Sequence, residues 1–200
     1  MTVHQNVLGV QEGIRPFLFD FAKFEQLDEL GIFTDREGRV ELIEGMIVHM
    51  APPGGEHTDV TSDMVLSLGL AMRRSPELGL KVLTQGTLKI GDHNAPEPDV
   101  FVARPRERGK KYYEATDAVL VIEVSISTAD ADKRVKAPLY ARAGIPELWI
   151  VEPEQASVTL YRGPRPDGEW DQVSIVTSGN VSPLFAPQIE IVLADLFPST

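Results

Sequence analysis

The sequence has 200 residues, of which 42% are hydrophobic and 24% are charged. These fractions are typical of a globular protein with one core, and they exclude a wholly disordered chain. There is no cysteine, which excludes a disulfide framework, a thiolate nucleophile and a zinc finger. The formal net charge of −11 argues at first against nucleic acid as a partner, because an acidic surface repels a polyphosphate.

No segment approaches the roughly 20 consecutive apolar residues that a membrane-spanning helix needs. The N-terminal residues also lack the basic region and the apolar core of a signal peptide. We therefore expect a cytoplasmic protein that makes no contact with a membrane. Residues 1–16 are predicted to form a loose N-terminal arm, and residues 17–200 a single domain.

The first predicted elements are a short helix and a β-hairpin. Asp20 stands where an N-cap residue would accept a hydrogen bond from the first helical turn, and Gly31 is suited to end that helix. Residues 40–48 surround Glu44 and Gly45, a pair that is typical of a turn. This pattern predicts two strands joined in a hairpin.

The clearest amphipathic helix is predicted over residues 58–74. Its apolar residues recur at intervals of four and form one stripe, which comprises Val60, Met64 and Leu68. Strands are then predicted over residues 80–90, 98–103 and 117–125. The last of these is dense enough in Val, Leu and Ile to be buried on both faces.

A second helix is predicted to end at Ala143. Val135, Leu139 and Ala143 form an apolar stripe that would pack on the sheet and turn Lys136 toward the sheet edge. Pro138 lies inside this helix and has no backbone N–H to donate, so a kink is expected there.

Further strands are predicted beyond this helix, over residues 148–151, 157–161, 171–177 and 188–192. The order of elements is a helix, three strands, a helix and a strand, with extra β-hairpins at the N- and C-terminal ends. This order predicts a single α/β or α+β domain.

Three charged residues stand where the fold alone would not require them. Asp99 begins a strand, Glu123 interrupts an apolar strand, and Lys136 lies one helical turn from both Asp132 and Tyr140. Two carboxylates on adjacent strands would offer the oxygen ligands that Mg²⁺ prefers. A nearby ammonium group could stabilise the charge that builds on phosphorus, so the three residues together indicate phosphodiester hydrolysis.

These residues resemble the paired acidic motif of the PD-(D/E)XK nuclease superfamily, with PD at 98–99 and EVS at 123–125. Residues 123–153 have the sequence EVSISTADADKRVKAPLYARAGIPELWIVEP, which resembles the Uma-type family of restriction endonucleases. The resemblance runs from about residue 17 to the C-terminus and is most specific over 98–153. It implies a restriction-endonuclease-like core in which helices flank a mixed central sheet.

By this resemblance, Asp99 and Glu123 would be ligands of Mg²⁺ or Mn²⁺, and Glu44 would be a further acid that completes the metal shell. The superfamily usually places a lysine two residues after the second acid, where this sequence has Ser125. The resemblance implies that Lys136, on the following helix, takes the place of that lysine.

Four further residues are candidates for lining the site, namely Gln85, Ser125, His57 and Tyr140. Ordinary structural roles are open for several of these residues. His57 could be a helix cap rather than a phosphate contact, and Tyr140 could simply pack in the core. Glu123 itself could be the acidic half of a buried ion pair with Lys136 or Arg142.

A basic connection follows the strand that begins at Asp99. It contains one acidic residue, Glu107, and five cationic residues: Arg104, Arg106, Arg108, Lys110 and Lys111. Over residues 100–145, nine Lys and Arg oppose six Asp and Glu, so that stretch carries +3 within a chain of −11. The connection could be a solvated loop or an arm that contacts DNA phosphates beside the metal site.

Together with the resemblance, these features predict a Mg²⁺-dependent endodeoxyribonuclease that binds DNA weakly and needs no organic cofactor. A homodimer is expected, because two-fold symmetry suits the cutting of two antiparallel strands. Two other classes stay open. One is a non-catalytic nuclease-fold module for DNA binding or assembly, and the other is a metal-dependent hydrolase of a small phosphorylated substrate.

Overall fold

The computed structural model describes residues 16–34, 38–126 and 132–197. The chain divides into two compact units. The first takes the residues up to Pro52 together with Lys89–Glu97, and the second takes Pro53–Leu88 and the residues from Pro98 onward. All of the predicted N-terminal arm except Pro16 lies outside the described residues, and the single domain over 17–200 stays a prediction.

The first unit contains a helix, α1 (Phe21–Glu29), and a hairpin of two strands, β1 (Arg39–Ile43) and β2 (Met46–Met50). Asp20 caps α1 as predicted, since its side chain accepts a hydrogen bond from the backbone N–H of Lys23. Hydrogen bonds from Lys23 hold the pKa of the Asp20 carboxyl below its usual range. The predicted turn at Glu44 and Gly45 is also confirmed, with both residues at positive φ.

The helices in the rest of the chain are α2 (Gly55–Arg74), α3 (Ala137–Arg142) and α4 (Leu193–Leu196). A π-helical turn, Asp132–Lys136, leads directly into α3. The strands of the central sheet are β3 (Lys81–Thr84), β5 (Val100–Ala103), β7 (Ala118–Val124), β8 (Glu147–Glu152), β9 (Ser157–Pro164) and β10 (Trp170–Val176). The shorter strands are β4 (Leu88–Lys89), β6 (Tyr113–Glu114), β11 (Asn180–Val181) and β12 (Ile191–Val192).

The central sheet of the second unit has six strands in the order β10-β9-β8-β7-β5-β3. The pair β7–β8 is parallel and the other pairs are antiparallel, so the sheet is mixed, as predicted. On one face, Met64 and Leu68 of α2 pack with Leu120 and Ile122 of β7. Side chains alternate along a strand, so Glu123 points to the other face, where α3 lies.

Three predicted elements differ from the structure. The strand expected over residues 188–192 covers only Ile191–Val192. The strand expected over residues 80–90 stops at Thr84, because Gln85 takes a left-handed backbone conformation with φ of +48° that breaks the strand. The stripe expected to pack the second helix on the sheet is wrong in part, since only Leu139 of its three residues is buried. Ala137, Tyr140 and Ala141 are buried, whereas Val135 and Ala143 are only half-buried.

None of the helices in the described ranges combines the length and the apolar character needed to cross a bilayer.

Candidate active site

Two acidic residues lie at one end of the central sheet. Val100 of β5 pairs with Ile122 of β7, so Asp99, just before Val100, and Glu123, just after Ile122, lie at the same end of the two strands. Asp99 is 3% exposed and Glu123 is 2% exposed. The structure therefore places both acidic residues that the sequence singled out, buried, at the same end of the sheet.

The second carboxylate is held by two side chains from the helical segment above it. The Tyr140 hydroxyl donates a 2.6 Å hydrogen bond to Oε1 of Glu123. The Nζ atom of Lys136 lies 3.2 Å from Oε1 and 3.3 Å from Oε2. Lys136 is itself buried, so it faces the sheet rather than the sheet edge that we expected. The ion pair considered for Glu123 exists, and it also places an ammonium group beside the candidate metal ligand.

The first carboxylate is held by one backbone group and one side chain. The backbone N–H of Val124 donates a 2.9 Å hydrogen bond to Oδ2 of Asp99. The same oxygen lies 3.1 Å from Nε2 of His57, in the first turn of α2. His57 thus belongs to the site through its contact with Asp99, and its partner is a carboxylate rather than the helix end.

The structure places two other candidates at the same end of the sheet. Ser125 is fully buried two residues after Glu123, which puts it on the same face, and its N–H donates to the Val151 carbonyl over 2.8 Å. Thr84 pairs with Val100, so Gln85 follows at the strand end beside Asp99. Gln85 is exposed there.

Glu44 lies in the first unit, at the turn between β1 and β2. Its backbone N–H donates a 2.6 Å hydrogen bond to Oδ1 of Asn94, and its φ is +49°. These contacts explain the turn. A role for Glu44 in a metal shell stays a prediction.

The basic connection begins at the far end of β5, since Arg104 follows the last strand residue while Asp99 precedes the first. The Arg104 side chain donates to the Thr116 carbonyl over 3.3 Å. Arg106 donates to the Lys111 carbonyl and lies over the ring of Tyr113. All five cations are exposed, and their contact with DNA stays a prediction.

Sequence reasoning missed a second lysine–acid pair on the same face. Val124 pairs with Val151 in the parallel register, so Glu152 lies one step further, beside Ser125. Lys133 Nζ lies 2.8 Å from Glu152, which also accepts a 3.3 Å hydrogen bond from Thr159. The sequence did contain a signal for this pair, because Glu152 is an acidic residue in an apolar strand, as Glu123 is.

The donor atoms of this site fit Mg²⁺ or Mn²⁺. Across residues 16–34, 38–126 and 132–197, no three His, Cys, Asp or Glu side chains form a cluster that could hold a metal ion. Asp99 and Glu123 do lie at the same end of β5 and β7, however, and Mg²⁺ is commonly held by one or two carboxylates together with water and substrate phosphate. Asp99 and Glu123 supply that minimal set.

The chain is similar to known proteins along most of its length. A family model named Uma2, described as "Putative restriction endonuclease", matches residues 21–194. A crystal structure described as a "putative nuclease belonging to DUF820", from Anabaena variabilis, superposes with a TM-score of 0.66 at 21% sequence identity. The superposition covers 91% of this chain and 98% of that one, which shows a shared fold. Among curated proteins, none matches the sequence.

Proposed function

The chain belongs to the Uma2 family, described as "Putative restriction endonuclease", and on that premise we propose that it is an endodeoxyribonuclease that depends on Mg²⁺ or Mn²⁺. In this proposal the enzyme hydrolyses phosphodiester bonds in DNA with water. One observation carries it, namely that two buried carboxylates, Asp99 and Glu123, lie at the same end of adjacent strands with the Lys136 ammonium 3.2 Å from Glu123.

Asp99 and Glu123 would hold the metal ion, and Glu44 would assist. When bound, the ion supplies positive charge that polarises a phosphate oxygen and acidifies a coordinated water. Burial strengthens the interactions of both carboxylates, because little water is present to screen them.

Lys136 would act on the attacking water or on the scissile phosphate. An ammonium group has three hydrogens to donate, so Lys136 can keep one on Glu123 and offer another to the water. A positive charge at this place also stabilises the negative charge that develops on phosphorus. Tyr140 holds the Glu123 carboxylate in a fixed position while this occurs.

Binding of DNA would be weak and dependent on the metal ion, because the chain carries a net charge of −11. The exposed cations Arg104, Arg106, Arg108, Lys110 and Lys111 would contribute phosphate contacts. We propose a homodimer acting in the cytoplasm, since a two-fold pair could cut both antiparallel strands. Light scattering of the purified protein measures the stoichiometry.

The proposal is tested by nicking of supercoiled DNA and cutting of linear DNA in Mg²⁺ or Mn²⁺. We expect the wild type to be active and the variants Asp99→Asn, Glu123→Gln and Lys136→Met to be inactive. Lys81→Met is the matched control, because Lys81 is exposed and pairs with Ala103, at the end of the sheet away from Asp99. Cleavage that persists in the Asp99 and Lys136 variants would contradict the assignment.

Calorimetric titration with Mn²⁺ separates the nuclease from a binding module that merely shares its fold. A nuclease should bind Mn²⁺, and Glu123→Gln should reduce its affinity for the ion. Glu154→Gln, at an exposed position, is the control and should leave that affinity unchanged. A binding module would show no Mn²⁺ site that depends on Glu123. A parallel screen of nucleotide phosphates identifies a hydrolase of small substrates.

A further inference from the structure

Three side chains form a hydrogen-bonded chain that ends on the first candidate metal ligand. Thr61 Oγ1 lies 3.4 Å from Nδ1 of His57, and Nε2 of the same ring lies 3.1 Å from Oδ2 of Asp99. The His57 side chain is 12% exposed and that of Asp99 is 4% exposed. Both Thr61 and His57 lie on α2, one helical turn apart.

The direction of this chain follows from what each group can donate. An ionised carboxylate only accepts hydrogen bonds, so Nε2 of His57 must carry the hydrogen that faces Asp99. In the neutral ring, Nδ1 is then an acceptor, which matches the Thr61 hydroxyl as a donor. Thr61 thereby favours the tautomer that can donate to Asp99.

Asp99 needs such support because of its place in the chain. It precedes Val100, the first residue of β5, so the sheet does not fix its backbone on that side. The Val124 N–H and the His57 ring both meet Oδ2, and two donors on one oxygen fix the rotation of the carboxylate. A fixed rotation determines where the group stands relative to Glu123.

We propose that His57 is a positioning residue, oriented by Thr61, that sets the Asp99 carboxylate for metal binding. The proposal rests on the metal-dependent function proposed above. The first turn of α2 would then have a function in the metal site, in addition to the packing that the amphipathic pattern of the helix predicts. Removal of a hydrogen-bond partner behind a metal ligand commonly lowers metal affinity by about 10- to 100-fold.

The test compares amides of two lengths at position 57. In His57→Gln the amide nitrogen falls near the place of Nε2 and can still donate to Asp99, whereas the side chain of His57→Asn is too short to reach it. We expect His57→Asn to bind Mn²⁺ about 10- to 100-fold more weakly by calorimetry and His57→Gln to recover most of that loss. Thr61→Val should weaken binding less. Thr58→Val, which removes a bond to the Gly54 carbonyl in the same turn, should leave it unchanged.

A second measurement needs neither metal nor substrate. The ¹⁵N shifts of the His57 ring in the metal-free protein at alkaline pH should show the hydrogen on Nε2, and Thr61→Val should raise the share of the Nδ1 tautomer. A hydrogen found on Nδ1 in the wild type overturns the proposal.

The outcomes separate this proposal from the proposed function. If His57→Asn and His57→Gln bind Mn²⁺ as the wild type does while the wild type cuts DNA, the positioning role is wrong and the nuclease stands. If the wild type binds Mn²⁺ and the two amides differ as expected without any DNA cleavage, the nuclease is wrong and the positioning role stands. A wild type that binds no Mn²⁺ overturns both.

Discussion

A carboxylate inside an apolar strand must find its partners within the protein, and Glu123 finds two of them on one helical segment. Another buried acid, Glu147, shows that burial by itself does not indicate a site. Glu147 accepts hydrogen bonds from Trp149, Arg162 and the N–H of Leu184, groups that tie β8 to β9 and to the C-terminal segment. Glu123 differs because a second buried acid, Asp99, lies at the same end of the neighbouring strand.

The ion pair between Glu123 and Lys136 should show strong coupling in stability. Lys136→Met leaves a buried carboxylate without its counter-charge, which should cost about 3–5 kcal/mol of unfolding free energy. Glu123→Gln combined with Lys136→Met removes both charges and should recover a large part of that loss. Urea unfolding measures all the variants, with Lys81→Met as the control. Additive effects of the two single changes would contradict the pairing.

The Tyr140 hydroxyl should contribute separately from its ring. Tyr140→Phe keeps the buried ring and removes the donor to Glu123, so we expect a loss of about 1–3 kcal/mol in unfolding free energy. Urea denaturation provides the measurement. Tyr161→Phe, at a half-buried position on β9, is the matched hydroxyl deletion and should have the smaller effect. Equal losses at the two positions would show that Glu123 does not need this bond.

At the scale of elements, the segment that carries Lys136 changes its helical type partway. Asp132–Lys136 is a π-helical turn, and the α-helical part begins at Ala137 with Pro138 in its first turn. Proline has no N–H, so the α-helical bond from residue 138 back to Arg134 cannot form. The wider turn follows from this missing bond, and it determines which side chains of the segment face the sheet.

Pro138→Ala should therefore test whether the π-helical turn positions Lys136. The new N–H can bond to the Arg134 carbonyl, so the α-helix can extend toward the N-terminus and rotate Lys136 away from Glu123. We expect lower resistance to urea, because the buried ion pair with Glu123 is broken, together with at least a tenfold slower DNA nicking. Pro153→Ala, in the 3₁₀ turn after β8, is the control and should not slow nicking. Full activity in Pro138→Ala would show that the π-helical turn is dispensable.

Sequence reasoning predicted the elements whose pattern is local. The stripe of α2 and the apolar run of β7 follow from their own residues, and both lie within a few residues of their predicted bounds. The buried face of the second helix was wrong in part: Leu139 is buried as expected, but Val135 and Ala143 are not, because a π-helical turn changes the angular spacing that a 3.6-residue pattern assumes. Glu123 and Lys136 were found because charge within an apolar pattern stands out. Thr61 was missed, since a threonine on a helix gives no such signal.

At the scale of the whole molecule, the acidic net charge is unevenly distributed. Residues 100–145 carry nine Lys and Arg against six Asp and Glu, a local charge of +3 within a total of −11. The remaining residues therefore carry −14. A DNA phosphate would meet repulsion over most of the protein and attraction near the basic connection, so the place of a cation should matter more than the total charge.

This uneven distribution of charge can be tested with two double variants that have the same net charge as each other. Arg106→Gln with Arg108→Gln, and Arg73→Gln with Arg74→Gln at the end of α2, remove the same charge from exposed positions. If the basic connection binds phosphates, only the first pair of substitutions should weaken DNA binding. In that variant, the slope of the logarithm of the binding constant against the logarithm of the salt concentration should become shallower by about 0.9 for each phosphate that is no longer neutralised. Fluorescence anisotropy in Ca²⁺, which takes the same oxygen ligands as Mg²⁺, measures binding across a salt series. Equal weakening by both pairs would mean that the connection is an ordinary solvated loop and that only the overall field acts on DNA.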